Sequence, residues 1–475
     1  MSVRALKAAR VTLDAMPLPA TRSRRPSRFG PRRFLNTGVT LARAFAGYKL
    51  ISLLQGRKGE EWAEVRRHQH HRWSAQRIYD TAVRDQGMLI KTCQFLSSRP
   101  DVVPDEYIDV LSALQDEVPP EPIDVIRRVV EAELGKPLEA VFREFEPWPV
   151  ASASLAQVHR AVLLDGSVVA VKVQYPGIDK LVEIDLRSMR RFIAILNRLD
   201  RTIDLSFIAD EMGRMVPLEL DFIHEGHNAE AIARNFAGVQ DVVVPGIYWQ
   251  HSTRRVLTME YVEGVKITDV EGMRRQGIDT TDVAKVLVVA FSEMLLQHGL
   301  FHADPHPGNL LVAPGPKLVL VDFGQVKELG PQFRMLFGQM TKALVSEDDS
   351  ALGRSFRDLG FRMKRDNDAG YVDLGNAYVG NIAKEMTANQ AGWADPDMFR
   401  DSYRQMLQIL RANPLIKIPP DLLFVGRVMG LLNGLSMTLR SRTNLLVEMA
   451  RLLEEGALTG KRQANLAENR RLLQA

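Results

Sequence analysis

Two short stretches carry the residues best suited to chemistry. In His302-Ala303-Asp304-Pro305-His306-Pro307-Gly308-Asn309, an Asp stands five residues before an Asn. In Val321-Asp322-Phe323-Gly324, a second Asp follows the run 317–321, which reads as a short buried strand, and precedes Phe-Gly. A carboxylate and a carboxamide oxygen are hard donors. Together with phosphate oxygens they suit Mg²⁺, which takes one or two protein ligands and keeps several waters. A further carboxylate placed near an acceptor hydroxyl orients it for phosphoryl transfer.

A third signal lies upstream. Val169-Ala170-Val171-Lys172 reads as a strand ending in a lysine able to reach nucleotide phosphates. An isolated Asp-Phe-Gly is a common accident, and a lone strand lysine usually has its head in water. Here the strand lysine, the Asp-x4-Asn loop and the Asp-Phe-Gly turn follow one another in the order that kinases use. That order favours ATP and Mg²⁺ as cofactors over the bland reading.

The elements that must position these residues are legible in coarse form. Residues 151–154 are Ala151, Ser152, Ala153 and Ser154, standing where a glycine-rich phosphate loop would be placed. Val162-Leu163-Leu164, Asp165-Gly166 and the valine-rich run 168–173 read as a β-hairpin with a type I′ turn. The segments 122–134 and 138–145 read as short helices, the first stopped by Gly135. Residues 177–236 read as helical, 242–244 and 256–259 as strands, and Glu260-Tyr261-Val262-Glu263-Gly264 as a hinge. An apolar helix, 282–298, leads into the first acidic loop. A later helix carries the stripe Val425, Met429, Leu432, Ser436 and Leu439.

Composition sets outer bounds. The chain has 475 residues, enough for two or three packed units. A net charge of +4 gives no general affinity for nucleic acid. The single cysteine, Cys93, forbids an intramolecular disulfide and fits a reducing compartment. No run of eighteen apolar residues occurs, because Glu293, Arg427 and Asn433 interrupt the best stretches. A cytoplasmic protein is expected. Residues 1–33 hold nine Lys or Arg and one acid, Asp14, and read as a disordered basic arm. The same composition suits peripheral contact with anionic lipid, or an organellar transit peptide. Residues 34–58 alternate apolar and basic positions, as an amphipathic helix does. His68, His70 and His71 sit among arginines, which opposes a metal site and favours an exposed helix face.

Taken together, 91–94, 151–159, 169–172, 219–221, 302–309 and 322–324 make the chain resemble the UbiB/ADCK, or aarF-domain, family of atypical kinase-like proteins. The resemblance runs from about Lys91 to about Leu439. It implies an α+β fold: a bilobal kinase-like body with a small β-containing N-lobe, a helical C-lobe and a helical N-terminal extension. The implied layout is an arm and possible amphipathic helix over 1–58, an extension over 59–146, an N-lobe over 147–264, a C-lobe over 265–453 and a polar tail over 454–475. By resemblance, Lys172 contacts the α/β-phosphates, with Glu219 as its acidic partner or as the partner of Lys91. Asp304 takes the catalytic-Asp position. Asn309 and Asp322 hold Mg²⁺, Ala151 to Ser154 cover the phosphates, and Glu260 and Val262 flank the nucleotide at the hinge. Lys91 and Gln94 belong to the extension that lies over the site. This chain departs from the family in three places: Cys93 replaces a glycine, Ser152 replaces an alanine, and no C-terminal membrane helix is evident.

The resemblance implies an ATPase or small-molecule or lipid kinase serving isoprenoid quinone or lipid metabolism. The alternatives are a nucleotide-switched pseudokinase scaffold and a Ser/Thr protein kinase. The 91–94 segment and the lack of a recognisable activation segment after Gly324 disfavour the last.

Overall fold

The computed structural model describes residues 30–85, 88–97, 103–115, 120–199, 206–376, 408–410, 412–417, 419–441, 443 and 445–454. Of the basic arm expected as disordered over 1–33, residues 1–29 lie outside them, whereas residues 30–33 begin a helix; the expected polar tail over 454–475 lies outside them from residue 455. The chain forms two compact units. One comprises the chain through residue 120 with residues 152–154 and 180–206. The other comprises residues 121–151, 155–179 and the chain from residue 207. The expected extension over 59–146 is therefore divided, because Phe142–Phe145 pairs into the second unit's sheet.

In the first unit, helices Gly30–Lys58 and Glu60–Asp85 are joined by Gly59 alone, at φ 89°. Only a residue free of Cβ sterics turns so tightly in that region. The two helices run back along each other. Thr40 and Thr81 share a hydroxyl hydrogen bond of 3.0 Å, and Tyr48 bonds His71 at 2.7 Å and Tyr107 at 2.9 Å. His70 donates to the Ala44 carbonyl, and His68 pairs with Glu106. Thus His70 and His71 turn inward, and only His68 fits the expected exposed face. Arg33 is buried and holds Asp185 of helix Ile178–Leu199 at 2.6 Å. Among the described residues no helix is long and apolar enough to cross a membrane.

The second unit begins with helix Ile123–Leu134, capped by Gly135 at φ 66°. The expected helix over 138–145 is instead one 3₁₀ turn, Leu138–Ala140, followed by strand Phe142–Phe145. Four antiparallel strands follow in the spatial order Phe142–Phe145, Ala156–Leu163, Val168–Gln174, Val256–Glu260. The connection at Asp165-Gly166 is not type I′. That turn needs positive φ at both central residues, and only Gly166 has it, at 91°. Its Gly166 N–H closes on the Leu163 carbonyl at 3.0 Å, so the glycine follows an ordinary turn as a bulge.

The expected helical run 177–236 is three helices, Ile178–Leu199, Ser206–Glu219 and Phe222–Asn235. Asp221 starts the last one: its carboxylate accepts from the Ile223 and His224 backbone N–H groups. After the sheet, Tyr261–Gly264 crosses to strand Val265–Lys266, which pairs into a second sheet with Leu310–Ala313, Lys317–Leu320 and Val242–Val243. A two-stranded ribbon, Leu300–His302 with Val326–Glu328, sits next to both acidic loops. Helices Thr280–Glu293, Pro331–Val345, Asp349–Leu359, Pro420–Thr438 and Leu445–Glu454 close over one apolar core that includes Leu287, Phe291, Phe337, Val425 and Leu432. The architecture is α+β, a small antiparallel sheet beside a larger helical half.

Candidate functional site

Strand Val168–Gln174 explains the place of Lys172. Val169, Val171 and Val173 are fully buried on one face of the sheet. Side chains alternate along a strand, so Lys172 emerges on the other face, where its ammonium lies 5.2 Å from the Phe222 ring centre. It reaches Glu225 Oε1 at 2.5 Å and Asp322 Oδ2 at 2.8 Å. Those are its two acidic partners. Glu219, expected as its partner or as the partner of Lys91, is not one of them. Glu219 ends the preceding helix, and its Oε1 accepts from Gln325 Nε2 at 2.6 Å. Glu225 sits one turn inside the helix that Asp221 caps, which aims its carboxylate at the strand.

Glu225 is tied to the second acidic loop as well as to the lysine. The Phe323 N–H donates to Glu225 Oε1 at 3.3 Å, and Asn228 Nδ2 donates to the Phe323 carbonyl at 3.0 Å. Its Oε2 is buried and meets no donor among the described residues. Burial pushes the Glu225 carboxyl up to about 7, with the Lys172 ammonium pulling the other way. Burial also works against charge on Lys172, but the Asp322 and Glu225 carboxylates outweigh it and hold the ammonium above its ordinary value.

The two acidic loops are locked together by His302. Its Nδ1 accepts from the Asp304 N–H at 3.2 Å, which leaves Nε2–H to donate to the Asp322 carbonyl. Burial lowers the His302 pKa, so the ring keeps the neutral form this arrangement needs. Asn309 Nδ2 donates to the Asp304 carbonyl at 3.0 Å, which turns its amide oxygen away from that bond. The Val321 N–H donates to the Asn309 carbonyl at 3.1 Å and brings Asn309 beside Asp322. Asp322 Oδ1 accepts from the Gly324 N–H at 3.0 Å.

The donor set fits a hard divalent cation. Asn309 supplies a carboxamide oxygen and Asp322 a carboxylate, and phosphate and water would complete six-coordination. Among the described residues no cluster of three or more His, Cys, Asp or Glu side chains suits a metal.

Asp304 has a partner that the sequence reading did not assign. Arg427, on helix Pro420–Thr438, contacts Asp304 Oδ1 at 2.7 Å and approaches Gln325 Oε1 at 3.4 Å. Both members of the ion pair are mostly buried. Gln325 thus links Arg427 to Glu219. The sequence signal was a solitary charge in an apolar run, which is rarely buried without a partner. Glu260 is exposed, and its Oε2 accepts from the Gly246 N–H at 3.3 Å; Val262 is half-buried in the connection between the sheets. Lys91 and Gln94 lie on helix Met88–Ser97 of the first unit, where Gln94 Nε2 donates to the Leu114 carbonyl at 3.0 Å. Cys93 on that helix is fully buried against Ala82, Ile90 and Leu111, so the sulfur occupies packing space. Ala151 is exposed and Ser154 buried.

One pH effect follows from Glu225. Its folded value of about 7 lies above the unfolded value of about 4.3. The folded state then holds the extra proton between these values, and stability falls as pH rises through that window. Glu225→Gln is expected to remove this part of the slope. Chemical denaturation of both proteins from pH 5 to 8 checks it: parallel stability curves would remove Glu225 as the titrating group.

A strand lysine, its helix-borne glutamate and two acidic loops set against a helical half define a kinase-like protein of the atypical class. The family model of the ABC1 atypical kinase-like domain matches residues 113–356. The chain belongs to this ABC1, or AarF-domain, family. The AarF domain-containing protein kinase 1 of Xenopus tropicalis is 37% identical over 328 residues, 68% of this chain and 62% of that protein. The mouse protein of that name is 32% identical over 410 residues, 82% of this chain and 78% of its own length. Among solved structures, a complex of Rv3197 with erythromycin from Mycobacterium tuberculosis superposes with a TM-score of 0.56 at 26% identity. It covers 75% of this chain and 89% of that one. The chain spans under two thirds of the first of these relatives.

Proposed function

We propose that the chain binds ATP with Mg²⁺ and hydrolyses it or transfers its γ-phosphoryl group to a small molecule or lipid, in the service of isoprenoid quinone or lipid metabolism. The observation that carries this reading is the junction of Lys172, Glu225 and Asp322 beside Asn309 and Asp304. Lys172 would meet the α/β-phosphates, and Asn309 with Asp322 would hold the cation. Bound Mg²⁺ would neutralise charge developing on the β/γ oxygens. Asp304 is the carboxylate placed to orient an acceptor. Contact with a membrane surface through the basic N-terminal stretch belongs to the same proposal. On helix Gly30–Lys58, Leu50 and Leu53 are exposed, as are Arg57 and Lys58.

A second reading is favoured by one observation. The Arg427–Asp304 pair occupies an oxygen that acceptor chemistry would use. On that reading the chain is a nucleotide-switched scaffold without transfer. The deciding experiment is release of ADP from Mg-ATP, with and without vesicles and phenolic quinone precursors. Turnover stimulated by a precursor supports the kinase reading, turnover independent of it supports an ATPase, and Mg-ATP binding without turnover supports the scaffold. Failure to bind Mg-ATP overturns all three.

A further inference from the structure

The helix that carries Glu225 is held from two sides. On the inner side, Glu225 meets Lys172 and the Phe323 N–H, and Asn228 holds the Phe323 carbonyl. On another side stands Trp249, in the 3₁₀ turn Trp249–His251 between the two strands 242–243 and 256–260. Its indole is fixed at three points of one helical stretch. Trp249 Nε1–H donates to Glu230 Oε1 at 2.7 Å. The ring lies 4.6 Å from the His227 ring, tilted by 35°. Its outer edge fills the space over Gly226, where a Cβ would come 2.5 Å from Cη2, 3.1 Å from Cζ2 and 3.2 Å from Cζ3.

Residues 226 and 230 are one turn apart and share a face, so the indole spans a full turn. Gly226 directly follows Glu225. A rigid body seated in the notch at 226 therefore limits both the rotation of the helix and its distance from the sheet. Rotation by a few tens of degrees would carry the Glu225 carboxylate out of reach of Lys172. Glycine inside a helix ordinarily weakens it relative to alanine. Its presence here is explained by the close approach it permits.

We infer that Trp249 is a positioning residue for the phosphate site: through the Gly226 notch and the Glu230 hydrogen bond it sets the place of Glu225, and through Glu225 that of the Lys172 ammonium. This deepens the nucleotide reading and rests on it for one of three measurements. An indole that merely covers apolar surface would stabilise the fold without affecting the state of Lys172.

The test uses the full chain and the variants Trp249→Leu, Trp249→Phe, Gly226→Ala, Glu225→Gln and the double variant Trp249→Leu with Glu225→Gln. Two measurements need no nucleotide: amide hydrogen exchange across Phe222–Asn235 and the rate at which an amine-acylating reagent modifies Lys172, read by mass spectrometry. Trp249→Leu and Gly226→Ala are expected to speed both by about tenfold, although alanine is the better helix former. Trp249→Phe, which keeps a ring in the notch, is expected to lie closer to the parent. In the third measurement, Trp249→Leu weakens Mg-ATP binding by about tenfold, and the double variant is no weaker than Glu225→Gln alone, as coupled residues require. Parental exchange and acylation rates in Trp249→Leu overturn the inference, as does strict additivity of the two affinity losses. If the parent chain fails to bind Mg-ATP, the nucleotide reading falls, and exchange and Lys172 acylation still decide this one. If Trp249→Leu fails to fold, Gly226→Ala decides alone: accelerated Lys172 acylation supports the inference and a parental rate overturns it.

Discussion

Asp322→Asn is expected to abolish the Mg²⁺-dependent part of ATP binding while leaving the fold intact. The substitution is isosteric, and the asparagine oxygen can still accept from the Gly324 N–H that Asp322 Oδ1 takes at 3.0 Å. Lys172 keeps Glu225 at 2.5 Å, so its ammonium retains a charged partner. What disappears is the charge that would hold a divalent cation next to Asn309. In the parent, ligand at a hundredfold excess over Kd contributes about 2.7 kcal/mol to the folded state, a shift of several degrees in Tm. In the variant, ATP with Mg²⁺ is expected to shift Tm no more than ATP with a chelator. A thermal melt with three additions, ATP, Mg²⁺ and both, measures this directly. An unchanged Mg-ATP shift would remove Asp322 from the metal site.

The residues that short-range pattern makes legible are those whose neighbours in sequence are also their neighbours in space. Asp304 and Asn309 share a loop and bond each other across five residues. Asp322 closes a strand whose burial its own composition announces. Lys172 ends a valine alternation that requires it to face away from the core. The α+β architecture is what the family resemblance carried by those motifs implies.

Glu225 shows where that reasoning stops. Nothing in Phe222-Ile223-His224-Glu225 distinguishes it from an ordinary helix acid, and Glu219 lies closer to a recognisable motif. The choice is made by the Asp221 cap, which starts the helix and fixes which turn faces the strand. A cap can be read from sequence, but the direction of the capped helix cannot. Arg427 is a similar case, because its partner Asp304 lies 123 residues away. The misread segment 138–145 failed for a local reason. Arg143 and Glu144 are both exposed in a bulged strand, so Phe142–Phe145 lacks clean alternation.

Arg427→Met is expected to raise the rate of ADP release by about tenfold while leaving Mg-ATP affinity unchanged, an effect typical of one strong charged contact removed. Arg427 holds Asp304 Oδ1 at 2.7 Å and does not touch Lys172, Glu225 or Asp322. With the arginine in place, one of two oxygens on the carboxylate proposed to orient an acceptor is committed to a guanidinium. Methionine fills much of the same volume and carries no donor. Breaking a buried pair leaves the other charge behind and destabilises the fold, here by about 1–3 kcal/mol because both groups retain some exposure. Two features soften that loss. Arg427 Nε is buried without an acceptor among the described residues, so part of its desolvation is uncompensated already. Gln325, which Arg427 also approaches, keeps Glu219. Adding Asp304→Asn to Arg427→Met separates the mechanisms. If release of Asp304 is the cause, the gain disappears in the double variant while Mg-ATP still binds. A rate at or below the parent in Arg427→Met, with affinity retained, would show that the arginine assists turnover and does not restrain it.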